Sequence, residues 1–231
     1  MSFREEIRPI VRSNPEYPKL LKKIKSPPKT LWVRGAGINN DLFHLASIGS
    51  RVVEAEALNT LTTFLENVCI AYSDAAQASL VIVSGLAKGV DRVSHEVGLA
   101  NANTVGVLPT AINRMDPPDN LDIAQAMLLE HQRGTAIVSE YAPVLDGYRS
   151  PRNPLARNRI TVGMSSAILV SGVSREASGS MKAVMHAHQE HRPIYFLSGT
   201  VSQSVKSLLV GVYGAKEVKD AESFVESLIL P

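Results

Sequence analysis

From about residue 30 onward, short apolar runs rich in Val, Ile and Leu alternate with longer stretches whose apolar residues recur at helical spacing. The runs predict strands at Thr30 to Val33, Leu45 to Ile48, Leu80 to Val83, Thr104 to Leu108, Ala136 to Val138, Ala167 to Val170 and Ile194 to Leu197. Between them the spacing predicts helices from Val52 into the sixties and over Val90 to Ala100, Leu121 to Arg133, Ser180 to His191 and Ala221 to Leu230, with one more around Leu155 to Gly163. Parallel strands need long crossovers, normally helical, so this alternation implies an α/β fold built on a parallel sheet. Ahead of it, Tyr17 to Lys25 reads as a short helix stopped by Ser26-Pro27-Pro28, because Pro27 biases Ser26 away from helical geometry. The expected division is a short helical preface over residues 1–30 and one main domain over 31–231. No internal repeat or low-complexity tract interrupts it.

Composition narrows the class. With 45% hydrophobic and 20% charged residues in 231, the chain can bury one substantial core. Runs such as Ala167 to Val170 or Val105 to Leu108 fall far short of the roughly 20 apolar residues of a membrane span. The start, Met1-Ser2-Phe3-Arg4-Glu5-Glu6, lacks the apolar core of a secretory signal, and the one cysteine, Cys69, cannot close an internal disulfide. A cytoplasmic protein without membrane association is expected, with Cys69 a small core residue. Net charge is only +2, yet Gly147 to Arg175 holds Arg149, Arg152, Arg157, Arg159 and Arg175 and no acid. A block so one-sided makes a local positive potential that suits phosphate or another polyanion, although a solvated surface stretch is the plainer reading.

Three predicted strands run straight into small turns that open helices. They carry Gly49-Ser50-Arg51, then Ser84-Gly85-Leu86-Ala87-Lys88-Gly89-Val90-Asp91, then Ser178-Gly179-Ser180. In a parallel sheet such turns share the edge where ligands bind, and the free N–H groups of a helix start attract anions. Tight connections alone would also call for Gly and Ser. No Gly-Lys-Ser/Thr and no G-x-G-x-x-G fingerprint follows a strand, which disfavours an ATPase or an orthodox NAD enzyme. Asp91 sits four residues before His95, a spacing that permits a structural hydrogen bond between them. His186, His188 and His191 do not suggest a metal site, since 186 and 188 point to different sides of a helix. No Ser or Cys is visibly coupled to a base, so no catalytic residue, metal or cofactor is assigned.

Taken in order, Gly49-Ser50-Arg51, Ser84 to Asp91 with His95, Ser139-Glu140-Tyr141, Arg157-Asn158-Arg159-Ile160 and Ser178-Gly179-Ser180 resemble the DNA-processing protein A (DprA, or Smf) family. The likeness runs from Tyr17-Pro18-Lys19-Leu20-Leu21 to Gly214-Ala215. It implies an extended Rossmann-like fold, a mostly parallel sheet with helices on both faces, and a homodimer. It also implies a protein that binds single-stranded DNA in a basic pocket, protects incoming or exposed strands and loads a RecA-type recombinase during transformation. The chain departs from the family at Pro109-Thr110-Ala111, Asp116-Pro117-Pro118, Ala183 and Ser198-Gly199, and no winged-helix tail is expected after Pro231.

On this reading the phosphate-binding set is Gly49, Ser50, Arg51, Ser84, Gly85, Lys88, Gly89, Arg157, Asn158, Arg159, Ser178, Gly179 and Ser180, and Tyr141 or Tyr148 stacks a base. With five Phe, six Tyr and one Trp, phosphate contacts should outweigh stacking. Two alternatives stay open: a nucleotide-binding sensor, and a nucleoside-monophosphate glycosidase of the related Rossmann-like group with Glu140 or Glu176 as its acid.

Overall fold

A computed structural model describes residues 7–115, 118–129 and 134–230. Nine strands form one sheet: β1 (Arg8–Val11), β2 (Thr30–Gly35), β3 (His44–Gly49), β4 (Val81–Ser84), β5 (Asn103–Val107), β6 (Ala136–Ser139), β7 (Ala167–Ser171), β8 (Ile194–Leu197) and β9 (Lys216–Val218). Their order is β1-β2-β6-β5-β4-β3-β7-β8-β9. The β1–β2 and β2–β6 pairs are antiparallel and every other pair is parallel. The crossovers are α1 (Ala55–Ala76), α2 (Val90–Asn101), α3 (Leu121–Leu129), α4 (Pro154–Gly163), α5 (Gly179–Gln189) and α6 (Gln203–Gly211), and α7 (Ala221–Ile229) follows the last strand.

Alternation along the central strands explains the two helical layers. In β3 and β7, Leu45, Ala167 and Leu169 join the core beneath α1 and α7, whereas Ala46, Ile48, Ile168 and Val170 join the one beneath α5 and α6. Cys69 lies in the first of these cores, and burial pushes its thiol up to about 12. From β3 the chain builds outward through β4, β5 and β6, then returns to the other flank of β3 with β7. The direction of winding therefore reverses at the β3–β7 pair. Crevices for ligands open at the carboxyl ends of strands beside such a reversal.

The seven expected strands are present, each within about two residues of its expected ends. Two edge strands were not expected. In β1, Pro9 interrupts the apolar pattern, and an edge strand tolerates Pro because one side of its ladder has no partner. In β9, Lys216 and Glu217 are exposed and only Val218 is buried. The short helix expected over Tyr17 to Lys25 is a single 3-10 turn at Leu21–Lys23, and α1 runs on to Ala76 rather than ending in the sixties. The last residues of the helix expected over Leu121 to Arg133 lie outside the described residues. Among the described residues, no helix is long and apolar enough to cross a membrane.

Candidate functional site

A cavity of about 650 Å³ opens at the β3–β7 reversal. The β3–α1 turn lines it with Gly49, Ser50, Arg51 and Val52, the β4–α2 turn with Gly85 and Ala87, and α2 with Asp91. The β7–α5 connection supplies Ser174, Arg175 and Ser178 to Ser180, and the first two turns of α4 supply Pro154, Leu155, Arg157, Asn158 and Thr161.

The β4–α2 turn is fixed by polar groups behind it. Leu86, a non-glycine residue at φ +55°, occupies a conformation that costs free energy unless its surroundings impose it. Its N–H donates to His95 Nε2 at 3.3 Å, its carbonyl accepts from Asn120 Nδ2 at 2.8 Å, and its side chain is fully buried. Thr104 Oγ1 spends its own proton on the Ile82 carbonyl, so the 2.7 Å contact with His95 Nδ1 must be a donation from the ring. His95 is thereby held neutral with its proton on Nδ1, and burial, reinforced by the charge of Arg157, lowers it to about 3. Asp91 Oδ2 accepts from the Ala87 N–H at 3.2 Å. The expected Asp91–His95 hydrogen bond is replaced by these separate contacts, which pin two adjacent amides of one turn.

Arg157 rises from α4 into the cavity floor. It is 6% exposed, and Nη1 donates to the Val107 carbonyl at 2.7 Å. Its guanidinium lies on Gly85, where a Cβ would stand 1.7 Å from Nη1, so glycine is required for the approach rather than for the turn. Burial holds its pKa below the ordinary arginine range; Asp91 opposes that shift and the like charge of Arg51 adds to it. The group remains a cation at neutral pH. Its Nε and the hydroxyl of Thr161, four residues further along the same helix face, are buried with no protein partner.

At the opposite wall, Ser178 caps α5 by accepting from Met181 N–H at 3.2 Å. The first N–H groups of α5, from Gly179 and Ser180, have no acceptor within the helix. Ser180 Oγ donates to the Gly49 carbonyl at 2.6 Å, and Asn158 Nδ2 donates to the Gly179 carbonyl at 3.0 Å, which ties α5 to β3 and to α4. Asn153 caps α4 through the Ala156 N–H, with Pro154 beginning the helix.

Nine expected residues meet here: Gly49, Ser50, Arg51, Gly85, Arg157, Asn158, Ser178, Gly179 and Ser180. Four do not line the cavity. Ser84 is buried and donates to the Ser47 carbonyl, joining β4 to β3. Gly89 has φ +72° and passes so close to β3–α1 that a Cβ would lie 2.4 Å from the Ser50 carbonyl. Lys88 is exposed outside the cavity.

Arg159 also lies outside the cavity. It turns to the other side of α4, where it donates to the Ser26 carbonyl at 2.9 Å and pairs with Glu140. Residues two apart on a helix point about 200° apart, so Arg157 and Arg159 cannot share a pocket. The arginine block is consequently divided: Arg157 and Arg175 line the cavity, Arg159 braces the N-terminal segment, and Arg149 and Arg152 are exposed before α4. Thr161 and Arg175, outside the expected set, also line the cavity; the four-residue spacing from Arg157 was a legible signal for Thr161, and Arg175 belongs to the arginine block. Neither Glu140 nor Glu176 lines the cavity; its carboxylate is Asp91, whose pKa burial raises. His188 packs edge-on against Tyr213, and no cluster of three metal-binding side chains occurs among the described residues.

Fold and cavity together define a Rossmann-like α/β protein with its cleft at the reversal of strand order. Residues 8–229 match the DNA recombination-mediator protein A family, and the chain belongs to it. It is 28% identical over 232 residues to the DNA processing protein DprA of Bacillus subtilis, covering 98% of this chain and 73% of that protein. It spans about half the length of several other curated relatives. The solved structure of DprA from Streptococcus pneumoniae superposes with a TM-score of 0.77 at 26% identity, covering 96% of this chain and 74% of that one. A DprA from Helicobacter pylori, described for its single-stranded DNA binding mode, has the same fold, with a TM-score of 0.74 at 24% identity and 97% of each chain covered.

Proposed function

We propose that this cavity holds the backbone of single-stranded DNA and performs no catalytic step. The observation that carries the reading is Arg157: a guanidinium buried in the floor, one nitrogen unpartnered, with the like charge of Arg51 acting on it. A bound phosphate would relieve both costs, and the start of α5 adds N–H donors on the opposite wall. Family membership and the DNA-binding mode described for the Helicobacter protein support the same ligand. Arg51, Arg157, Arg175 and the Ser178 to Ser180 turn then contact phosphates, while Ser84 and Gly89 shape the turns that present them.

The wider role follows from the resemblance: the protein shields exposed strands in the cytoplasm, acts as a homodimer and delivers the strand to a RecA-type recombinase. A filter-binding comparison tests the ligand. Single-stranded DNA of varied sequence should bind alike and more tightly than duplex or mononucleotide, because phosphate contacts carry no base information. Equal or tighter binding of duplex overturns the reading. Mononucleotide that protects against heat as well as an oligonucleotide favours the nucleotide sensor, and release of free base favours a glycosidase.

A further inference from the structure

A second run of cations lies outside the cavity. From Tyr17 to Asn40 the chain holds Lys19, Lys22, Lys23, Lys25, Lys29 and Arg34 and no acid. Lys19 is paired with Asp41 at 3.0 Å. Lys22, Lys23, Lys25 and Lys29 are exposed, and among the described residues their ammonium groups have no ion pair. Glu140 and Glu190 approach this segment but are engaged, Glu140 with Arg159 and Glu190 with the backbone N–H of Lys25 at 3.1 Å. The backbone that carries the four lysines is fixed. Leu21 and Ile24 are buried, Tyr17 Oη donates to the Pro28 carbonyl at 2.7 Å, and Arg192 and Arg159 donate to the Leu20 and Ser26 carbonyls. An ordinary solvated face mixes both signs of charge, and this one does not.

Position relates the run to the cavity. β2 begins at Thr30 and runs antiparallel to β6, so Lys29 stands at the edge where β6 ends, the same edge on which β3, β4 and β7 open the cavity. Three strand spacings, about 14 Å, separate β2 from β4. Lys25 adjoins the Ser26 carbonyl held by Arg159, on the flank of α4 opposite Arg157. Lys22 and Lys23 continue the row along the 3-10 turn, where Leu21 meets the last residue of α4. A strand seated on Arg157 is longer than the cavity, and its following phosphates still carry charge. Lysine suits them, because a point charge on a flexible stem follows a backbone of any sequence.

We propose that Lys22, Lys23, Lys25 and Lys29 form a second contact for single-stranded DNA, a track for the phosphates of the strand beyond the cavity and across α4. This rests on the single-stranded DNA reading and extends it to a surface remote from the strand-order reversal. Affinity then grows with strand length past what the cavity holds, and that growth belongs to the lysines.

The test compares oligothymidylates of about six and about twenty nucleotides, below and above the reach of one compact site, for wild type and for a variant with all four lysines changed to Gln. Wild type should bind the longer strand several-fold more tightly. The variant should bind the short strand like wild type and lose most of the gain. Its log-log salt slope on the longer strand should be shallower by at least about 1.4, two lost phosphate contacts. The four side chains are exposed, so the variant should melt with wild type. Absence of a length gain in wild type, or a variant that weakens both strands alike as a diffuse field would, overturns the track while the DNA reading stands. A variant that keeps the length gain but no longer binds vesicles of anionic phospholipid assigns the lysines to a membrane surface and also overturns it. Failure of wild type to bind either strand sinks both readings.

Discussion

Replacing Gly85 by alanine should mimic the loss of Arg157 without removing its charge. The glycine is outside the left-handed region, so alanine adds no backbone strain; its Cβ would lie 1.7 Å from Nη1, 2.2 Å from Cζ and 2.3 Å from Nη2. No relaxation of a few tenths of an ångström accommodates that, and the guanidinium must leave. It then forfeits the 2.7 Å bond to the Val107 carbonyl, a charge-assisted contact worth about 1.5–3 kcal/mol. Return of a desolvated cation toward water offsets part of this, which puts the net cost near the lower end, roughly 1–2 kcal/mol. At about 2–4 °C per kcal/mol for a chain of this size, the Tm should fall by several degrees.

Binding should suffer as well, since the displaced cation no longer meets phosphate at the floor. In salt titrations of single-stranded DNA affinity, Gly85→Ala and Arg157→Ala should each make the log-log slope shallower by about 0.7. The double variant separates this account from a general effect on the turn. Once Arg157 is gone the added methyl fills vacated space, so Gly85→Ala should cost less than about 0.5 kcal/mol there, a coupling of the size expected for residues in contact. Wild-type melting and affinity in Gly85→Ala, or strict additivity in the double variant, would refute the reasoning.

Arg159→Ala should do the reverse of Arg157→Ala: it releases the Ser26 carbonyl and leaves Glu140 unpaired, lowering stability by about 1–3 kcal/mol in thermal melts, while affinity for single-stranded DNA holds. A well-folded variant that loses affinity would return Arg159 to the DNA site. His95 and His44, lowered by burial to about 3 and about 4, bind protons in the unfolded chain from about pH 6.5 downward but not in the folded one. Stability present above about pH 6.5 should therefore be lost as pH falls through the 6.5 to 3 window, at up to about 1.4 kcal/mol per pH unit for each histidine. Asp91, whose carboxyl is raised by burial, works in the opposite sense and trims that slope. Denaturant midpoints that are flat between pH 7 and pH 5 would show that these rings are not buried neutral.

What the sequence determined by itself was set by local physics. Short continuous apolar runs between helical stretches dictated a parallel α/β sheet, because strands so separated can return only through crossovers. Gly49, Gly85 and Ser178 marked the three turns that meet at one edge, because backbone approach and helix capping leave local signatures in residue type. Edge strands were another matter. Arg8-Pro9-Ile10-Val11 and Lys216-Glu217-Val218 carry little apolar pattern, and they become strands through hydrogen bonds to β2 and β8, partners distant in sequence.

The arginine block shows the same division within the site. Composition revealed the surplus charge, but only packing assigned it, turning Arg157 onto Gly85 and Arg159 onto Ser26 and Glu140. Helical geometry already requires two residues that close in sequence to face apart. Which of them meets the cavity depends on the face α4 presents to the sheet, and that is fixed by Ile160 and Met164 packing against strands drawn from across the chain. A charge pattern thus shows where cations concentrate along the chain, whereas long-range burial chooses which of them line the cavity.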